Sequence, residues 1–136
     1  GKAYKQEALE FIAKNQLEKY IHFIDPKNED LPFIYQKAAL FIYPSFYEGF
    51  GIPIIEALFS KTPVITSNCS SLPEAAGPSS LLIDPHSPEA IADAIDRVLS
   101  NTTLQAQMIE QGYGYAQQFR GEPLTERLME VYESVL

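Results

Sequence analysis

Residues 39–57 constrain this chain more than any other stretch. Ala39-Leu40-Phe41-Ile42-Tyr43 is an unbroken apolar run, the pattern of a strand buried on both faces of a parallel sheet. Residues 54–59 are apolar again, with Pro53 where a first helical turn accepts proline. Between them, Ser45-Phe46-Tyr47-Glu48-Gly49-Phe50-Gly51 supplies two glycines and a carboxylate. Strand, glycine loop and helix in that order aim backbone N–H groups and a helix N-terminus at an anion.

A second carboxylate, Glu56, follows Glu48 by eight residues. On one straight helix the two would stand about 12 Å apart along the axis. Gly49 and Gly51 let the chain fold back without a Cβ penalty, so both can face one crevice. There they can accept hydrogen bonds from sugar or ribose hydroxyls, as an acidic residue does in dinucleotide sites. Spacing alone leaves a second option open, in which Glu56 is a solvated helix residue and Gly-Phe-Gly a simple turn.

Pro44, Ser45, Glu48, Gly49, Phe50, Gly51, Pro53, Glu56 and Ala57 match the pattern P-S-x-x-E-G-F-G-x-P-x-x-E-A. The stretch therefore resembles the E-x7-E signature of the retaining glycosyltransferases of family 4, the group 1 glycosyltransferases of GT-B fold. The similarity continues through Pro63-Val64-Ile65, Ser71-Leu72-Pro73-Glu74 and Ile83-Asp84-Pro85. It implies an α/β fold, a Rossmann-like parallel sheet with flanking helices, with residues 1–136 forming one partial, nucleotide-sugar-binding C-terminal domain. The family's acceptor domain and first two donor-domain strands have no counterpart here, so the resemblance implies a piece of a longer enzyme.

Composition agrees with a globular α/β domain. The chain has 136 residues, 46% hydrophobic and 21% charged, enough for one core. Its net charge of −8 argues against nucleic acid or an anionic membrane as partner, since both require basic patches. Cys69 stands alone, and His22 and His86 lack metal-ligand spacing, so neither a disulfide framework nor a Cys-based zinc site is available. No Asp-x-Asp pair occurs, and neither a metal nor a cofactor is expected. No signal or membrane-spanning stretch is visible. A cytoplasmic location follows as the expectation, with peripheral membrane attachment of the full-length enzyme left open.

Helical and strand patterns alternate along the chain. Tyr4, Ala8, Phe11 and Ile12 share one helical face, and residues 20–24 read as a strand closed by Asp25-Pro26. Leu31, Ile34, Tyr35 and Ala38 mark another helix, with Asp30 as its N-cap. Residues 63–66 and 80–83 read as short strands, and the polar loop 67–71 after the first of these is expected at the same crevice. Residues 72–76 read as a short helix stopped by Gly77-Pro78, with Glu74 assigned a structural role. Ser87 and Pro88 open a helix carrying Ile91, Ile95, Val98 and Leu99, followed by helices over 104–119 and 123–136.

The resemblance also implies roles. Glu48 is the catalytic carboxylate, holding the transferred sugar beside its anomeric carbon and balancing the positive charge that develops there. Backbone N–H groups of Gly49, Phe50, Gly51 and Ile52 meet the donor's sugar hydroxyls and phosphate oxygens, and Glu56 accepts from the ribose hydroxyls. The donor is a nucleotide sugar of UDP or GDP type, and the acceptor is a glycan or lipid held by the other domain. The alternative is a non-catalytic nucleotide-sugar-binding or structural module. Two departures from the family pattern stand out: Lys61 replaces the glycine before the Pro-Val-Ile strand, and Asp25 replaces the glycine after Phe23. In the family's strand order, two strands would separate residues 20–24 from 39–43 by about 14 Å. Without them, residues 20–24 are expected to pair directly with 39–43, or another chain is expected to fill the gap by strand addition.

Overall fold

Three short parallel strands place the glycine loop. The computed structural model describes residues 2–121, with side chains from residue 6 onward. Its elements are α1 (Lys2–Lys14), α2 (Leu31–Lys37), β1 (Phe41–Tyr43), α3 (Ile52–Phe59), β2 (Val64–Ser67), α4 (Leu72–Ala76), β3 (Leu81–Ile83), α5 (Pro88–Leu99), α6 (Thr102–Ala116) and a 3-10 turn (Gln117–Phe119). The sheet order is β1-β2-β3. Phe41 pairs with Val64 and Tyr43 with Thr66, while Ile65 pairs with Leu81 and Ser67 with Ile83. Parallel neighbours require crossovers, which α3 and α4 supply.

Alternation along β2 divides the core. Val64 joins Ile54, Leu58, Leu72 and Ala75 on one face, whereas Ile65 joins Ile83, Ala94, Val98 and Met108 on the other. Helices on both faces bury all four residues of β2, as the continuous apolar pattern of a parallel strand requires. The helix boundaries have local causes. Ser87 accepts from the Ala90 N–H and Asn101 from the Leu104 N–H, capping α5 and α6. At the end of α3, Lys61 N–H bonds to Leu58 O and Thr62 N–H to Ala57 O, a Schellman motif that puts Lys61 at φ 61°. Lysine costs about 1 kcal/mol there relative to glycine. Its ammonium rests 5.0 Å from the Tyr113 ring centre, a contact that offsets part of that cost.

The structure corrects several expectations. Residues 20–24 form no strand and do not pair with β1. They run as irregular chain with Tyr20 68% and Ile24 66% exposed. A run with apolar residues on both faces needs a layer packed on each face to be buried, which the described residues do not supply. β1 is half-buried along its length, not buried on both faces, because it is an edge strand of the described sheet. Asp30 occupies the N-cap of α2 but makes no side-chain cap bond, its own backbone already lying in the helical region. Among the described side chains of α1 only Ile12 is buried, with Phe11 63% exposed, because little of the described chain covers that helix; the Tyr4 side chain lies outside the described residues. On α5 Leu99 is exposed and Ala94 takes its place in the core. The expected helix over 123–136 lies outside the described residues.

Leu58 is 2% exposed, and its Cδ2 lies 2.8 Å from where a Cβ on Gly112 would stand. Leu58→Ala is therefore expected to destabilise the fold by about 2–5 kcal/mol, read from the midpoint of a urea melt. A midpoint unchanged from the parent chain would contradict this packing.

Candidate functional site: a glycine loop held by hydroxyl groups

The loop from Pro44 to Gly51 joins the C-terminal end of β1 to α3. Side-chain hydroxyls from the neighbouring strand and loop hold its backbone. Thr66 and Ser67, both fully buried at the end of β2, donate to the carbonyls of Tyr43 and Ser45 respectively. Ser70 and Ser71 both donate to the Glu48 carbonyl, at 2.9 and 3.1 Å. The polar loop after β2 thus meets the glycine loop, as its place at the strand ends suggests. Ser70 takes φ 54° to do so, a left-handed conformation that is uncommon outside glycine.

The Glu48 carboxylate is held as well. Tyr43 OH donates to its Oε1 at 2.7 Å and Ser45 OH donates to the same oxygen at 3.0 Å. No hydrogen bond from the described residues reaches Oε2. The N–H groups of Gly49, Phe50, Gly51 and Ile52 likewise find no acceptor among the described residues. Four free N–H groups ahead of a helix N-terminus, with an open carboxylate oxygen beside them, can bind a ligand carrying both an anion and hydroxyl groups.

Gly51 is the N-cap of α3 and sits at φ 96°, ψ 42°. A Cβ there would stand 2.9 Å from Leu72 Cδ2 and 3.3 Å from Ala75 Cβ. Glycine is required twice over, by backbone conformation and by contact with α4. Gly49 has open space around it; Phe50 lies edge-on to Phe119 at 5.7 Å; Ile52 is exposed.

Glu56 lies one helical turn further along. It is exposed, and its Oε2 accepts from Tyr35 OH at 3.2 Å. It lines a cavity of about 310 Å³ between α2 and α3, together with Leu31, Pro32, Tyr35 and Phe59. Glu48 is not part of that lining. A second cavity of about 300 Å³ between β3 and α5 is lined by neither carboxylate. Glu74 is exposed, and only its backbone carbonyl is engaged, by Tyr115 OH. His22 and Asp25 are exposed in irregular chain. Among the described residues no group of His, Cys, Asp and Glu could hold a metal ion, and no helix is long and apolar enough to cross a membrane.

Sequence reasoning placed the loop 67–71 at the crevice and Ser45 in the motif, but missed Tyr35 and Tyr43 and the hydrogen bonds by which Ser45, Ser67, Ser70 and Ser71 hold the site. The signal available was a row of hydroxyl residues on both sides of the motif, legible as a network only once the strand register is known. Burial, the negative charge of Glu56 and its hydrogen bond together push the Tyr35 hydroxyl up to about 12. The hydrogen bond to Glu48, with burial and charge behind it, raises Tyr43. Both hydroxyls therefore remain donors across the neutral range.

A tyrosine raised in the fold stabilises it fully below the unfolded value near 10, and that contribution is lost as pH rises through the folded value. Absorbance titration near 295 nm should show one tyrosine ionising at about 12 that disappears in Tyr35→Phe. All tyrosines titrating together near 10 would contradict the burial of Tyr35.

Residues 1–115 match the family model described as "Glycosyl transferases group 1". O-antigen chain mannosyltransferase B of Escherichia coli is 38% identical over 115 residues, covering 85% of this chain and 30% of the relative. The chain thus spans about three-tenths of the length of that relative. Among solved structures, the C-terminal domain of the group 1 glycosyltransferase LpcC from Francisella tularensis aligns with TM-score 0.73 and 30% identity, over 85% of this chain and 62% of that one. Anabaena Alr3699/HepE, solved with UDP and glucose, shares the fold at TM-score 0.87 and 22% identity, over 98% of this chain and 37% of that one. The parallel sheet with flanking helices matches the C-terminal domain of GT-B glycosyltransferases. This chain belongs to the group 1 glycosyltransferase family.

Proposed function

We propose that residues 1–136 are the donor-binding part of a hexosyltransferase of retaining family 4, acting within a longer protein. The carrying observation is the loop itself. Glu48 is pinned through one carboxylate oxygen while the other stays open, beside four N–H groups with no acceptor among the described residues. That arrangement suits a sugar diphosphate, whose phosphate oxygens accept from N–H groups and whose hydroxyls donate to a carboxylate.

In this reading Glu48 faces the transferred sugar and balances the positive charge that develops at the anomeric carbon. Gly49, Phe50, Gly51 and Ile52 hold the diphosphate and sugar through the backbone. Glu56 accepts from the ribose, with the cavity beside Tyr35 and Leu31 taking the nucleoside. UDP and GDP donors both fit this description, and the site calls for no cofactor or metal. The acceptor, a glycan or lipid-linked sugar, is bound by a separate acceptor domain. A cytoplasmic location suits this assignment.

In the full-length protein, Glu48→Gln should lower kcat by about a hundredfold or more with donor Kd changed far less. Glu56→Gln should instead weaken the donor by about 1–3 kcal/mol. Calorimetry with UDP- and GDP-sugars that finds donor affinity unchanged in the Glu56 variant would remove the ribose role.

The isolated chain supports a companion prediction. Transfer needs both reactants held in register, so residues 1–136 alone should transfer no sugar to any acceptor. The outer edge of β1 has no strand neighbour among the described residues, and this edge offers strand-mediated self-association. Sedimentation should then give an oligomer whose mass rises with concentration. Sugar transfer by the isolated chain, or a strictly monomeric species at high concentration, would refute the corresponding statement.

A further inference from the structure

Each motif carboxylate is held by a tyrosine hydroxyl, and the two tyrosines belong to one aromatic row. Tyr43 OH donates to Glu48 Oε1 at 2.7 Å, and Tyr35 OH donates to Glu56 Oε2 at 3.2 Å. Phe41 stands between the two rings. It stacks on Tyr43 with centroids 5.9 Å apart and planes 19° from parallel, and meets Tyr35 edge-on at 5.2 Å and 88°. Phe41 and Tyr43 are two residues apart on β1 and so present their side chains to the same face. Tyr35 comes from α2 and is 8% exposed. Its backbone is fixed in turn, because buried Thr62 donates to the Tyr35 carbonyl at 2.7 Å.

Packed rings have little rotamer freedom. The position of each hydroxyl oxygen is therefore set by the row and not by the carboxylate it meets, and its O–H turns to donate. A glutamate at a loop mouth or on an exposed helix face has several rotamers open to it. A fixed donor on one oxygen selects among them and leaves the second oxygen pointing elsewhere. Glu48 receives Tyr43 and Ser45 on the same oxygen, so the selection there is doubled.

We infer that Tyr43 and Tyr35 are positioning residues with separate tasks, Tyr43 aiming Glu48 at the transferred sugar and Tyr35 aiming Glu56 at the nucleoside. The inference rests on the roles proposed above for the two carboxylates and extends the site to residues outside the motif. Divided tasks have a kinetic signature that a general loss of structure lacks. Disturbing Glu48 alone changes the chemical step; disturbing Glu56 alone changes donor binding.

The test uses the full-length protein and substitutions that keep each ring while removing its hydroxyl. Tyr43→Phe should lower kcat about tenfold with donor Kd within twofold of the parent. Tyr35→Phe should raise donor Kd about tenfold, with kcat at saturating donor within twofold. Glu48→Gln and Glu56→Gln are measured alongside, together with the double variants Tyr43→Phe/Glu48→Gln and Tyr35→Phe/Glu56→Gln. In each double variant the tyrosine change should add nothing to the loss from its glutamate. Parent-like values in both tyrosine variants would overturn the inference, as would kcat and Kd moving together in each, or losses that simply add in the doubles. If the glutamate variants lose function while the tyrosine variants do not, only the positioning roles fall. If the glutamate variants are themselves silent, the proposed roles of the carboxylates fall and the inference falls with them.

Discussion

The hydroxyl groups that grip the backbone between Tyr43 and Glu48 decide whether this chain has an ordered glycine loop at all. No ladder or helix orders residues 44–51, and fixing each such residue costs about 1–2 kcal/mol of conformational entropy. Thr66, Ser67, Ser70 and Ser71 oppose that cost by donating to the carbonyl of Tyr43, just before the segment, and to those of Ser45 and Glu48 within it. Each bond contributes about 1 kcal/mol net. Thr66 and Ser67 are fully buried, and without these acceptors their hydroxyls would be stranded in the core. The polar end of β2 and the carbonyls of the loop thus satisfy one another, and neither arrangement stands without the other.

Packing beneath the loop completes the constraint. α3 starts from left-handed Gly51, lies against α4 through Leu72 and Ala75, and buries Ile54, Ile55, Ala57 and Leu58. The free N–H groups of the loop consequently end a helix that cannot tilt without disturbing the core. Glu56, on the outer face of that helix, reaches the Tyr35 side of the aromatic row, while Glu48 on the loop reaches the Tyr43 side. Two carboxylates eight residues apart in sequence are in this way attached to one rigid set of rings.

Much of this was legible in the sequence, and the limits have physical causes. The motif gave the strand, loop and helix because local chemistry fixes all three: an apolar run, glycines, and proline in a first helical turn. The Ser87 cap followed from the same kind of short-range reasoning, whereas Lys61 stood out only because the family that the chain resembles has glycine there. The partners of Glu48 did not follow in this way. Ser70 and Ser71 lie 22 and 23 residues away from it, and their arrival depends on the register of β1 against β2. Residues 20–24 failed for a related reason. Their apolar pattern suits a strand, yet a strand apolar on both faces needs layers that cover both faces, and pattern alone does not supply them. Phe11 and Leu99 show that a helical stripe marks what can be buried, whereas burial itself needs a neighbouring element.

The most direct test of the central claim, that the loop between β1 and α3 is the donor's seat, is a crystal structure of the full-length protein with an intact nucleotide sugar bound. The account predicts phosphate or sugar oxygens within hydrogen-bonding distance of the N–H groups of Gly49 through Ile52. It further predicts a sugar hydroxyl on the open Oε2 of Glu48, with Tyr43 still on Oε1. A donor bound away from this loop, or one that displaces Tyr43 from Glu48, would contradict it.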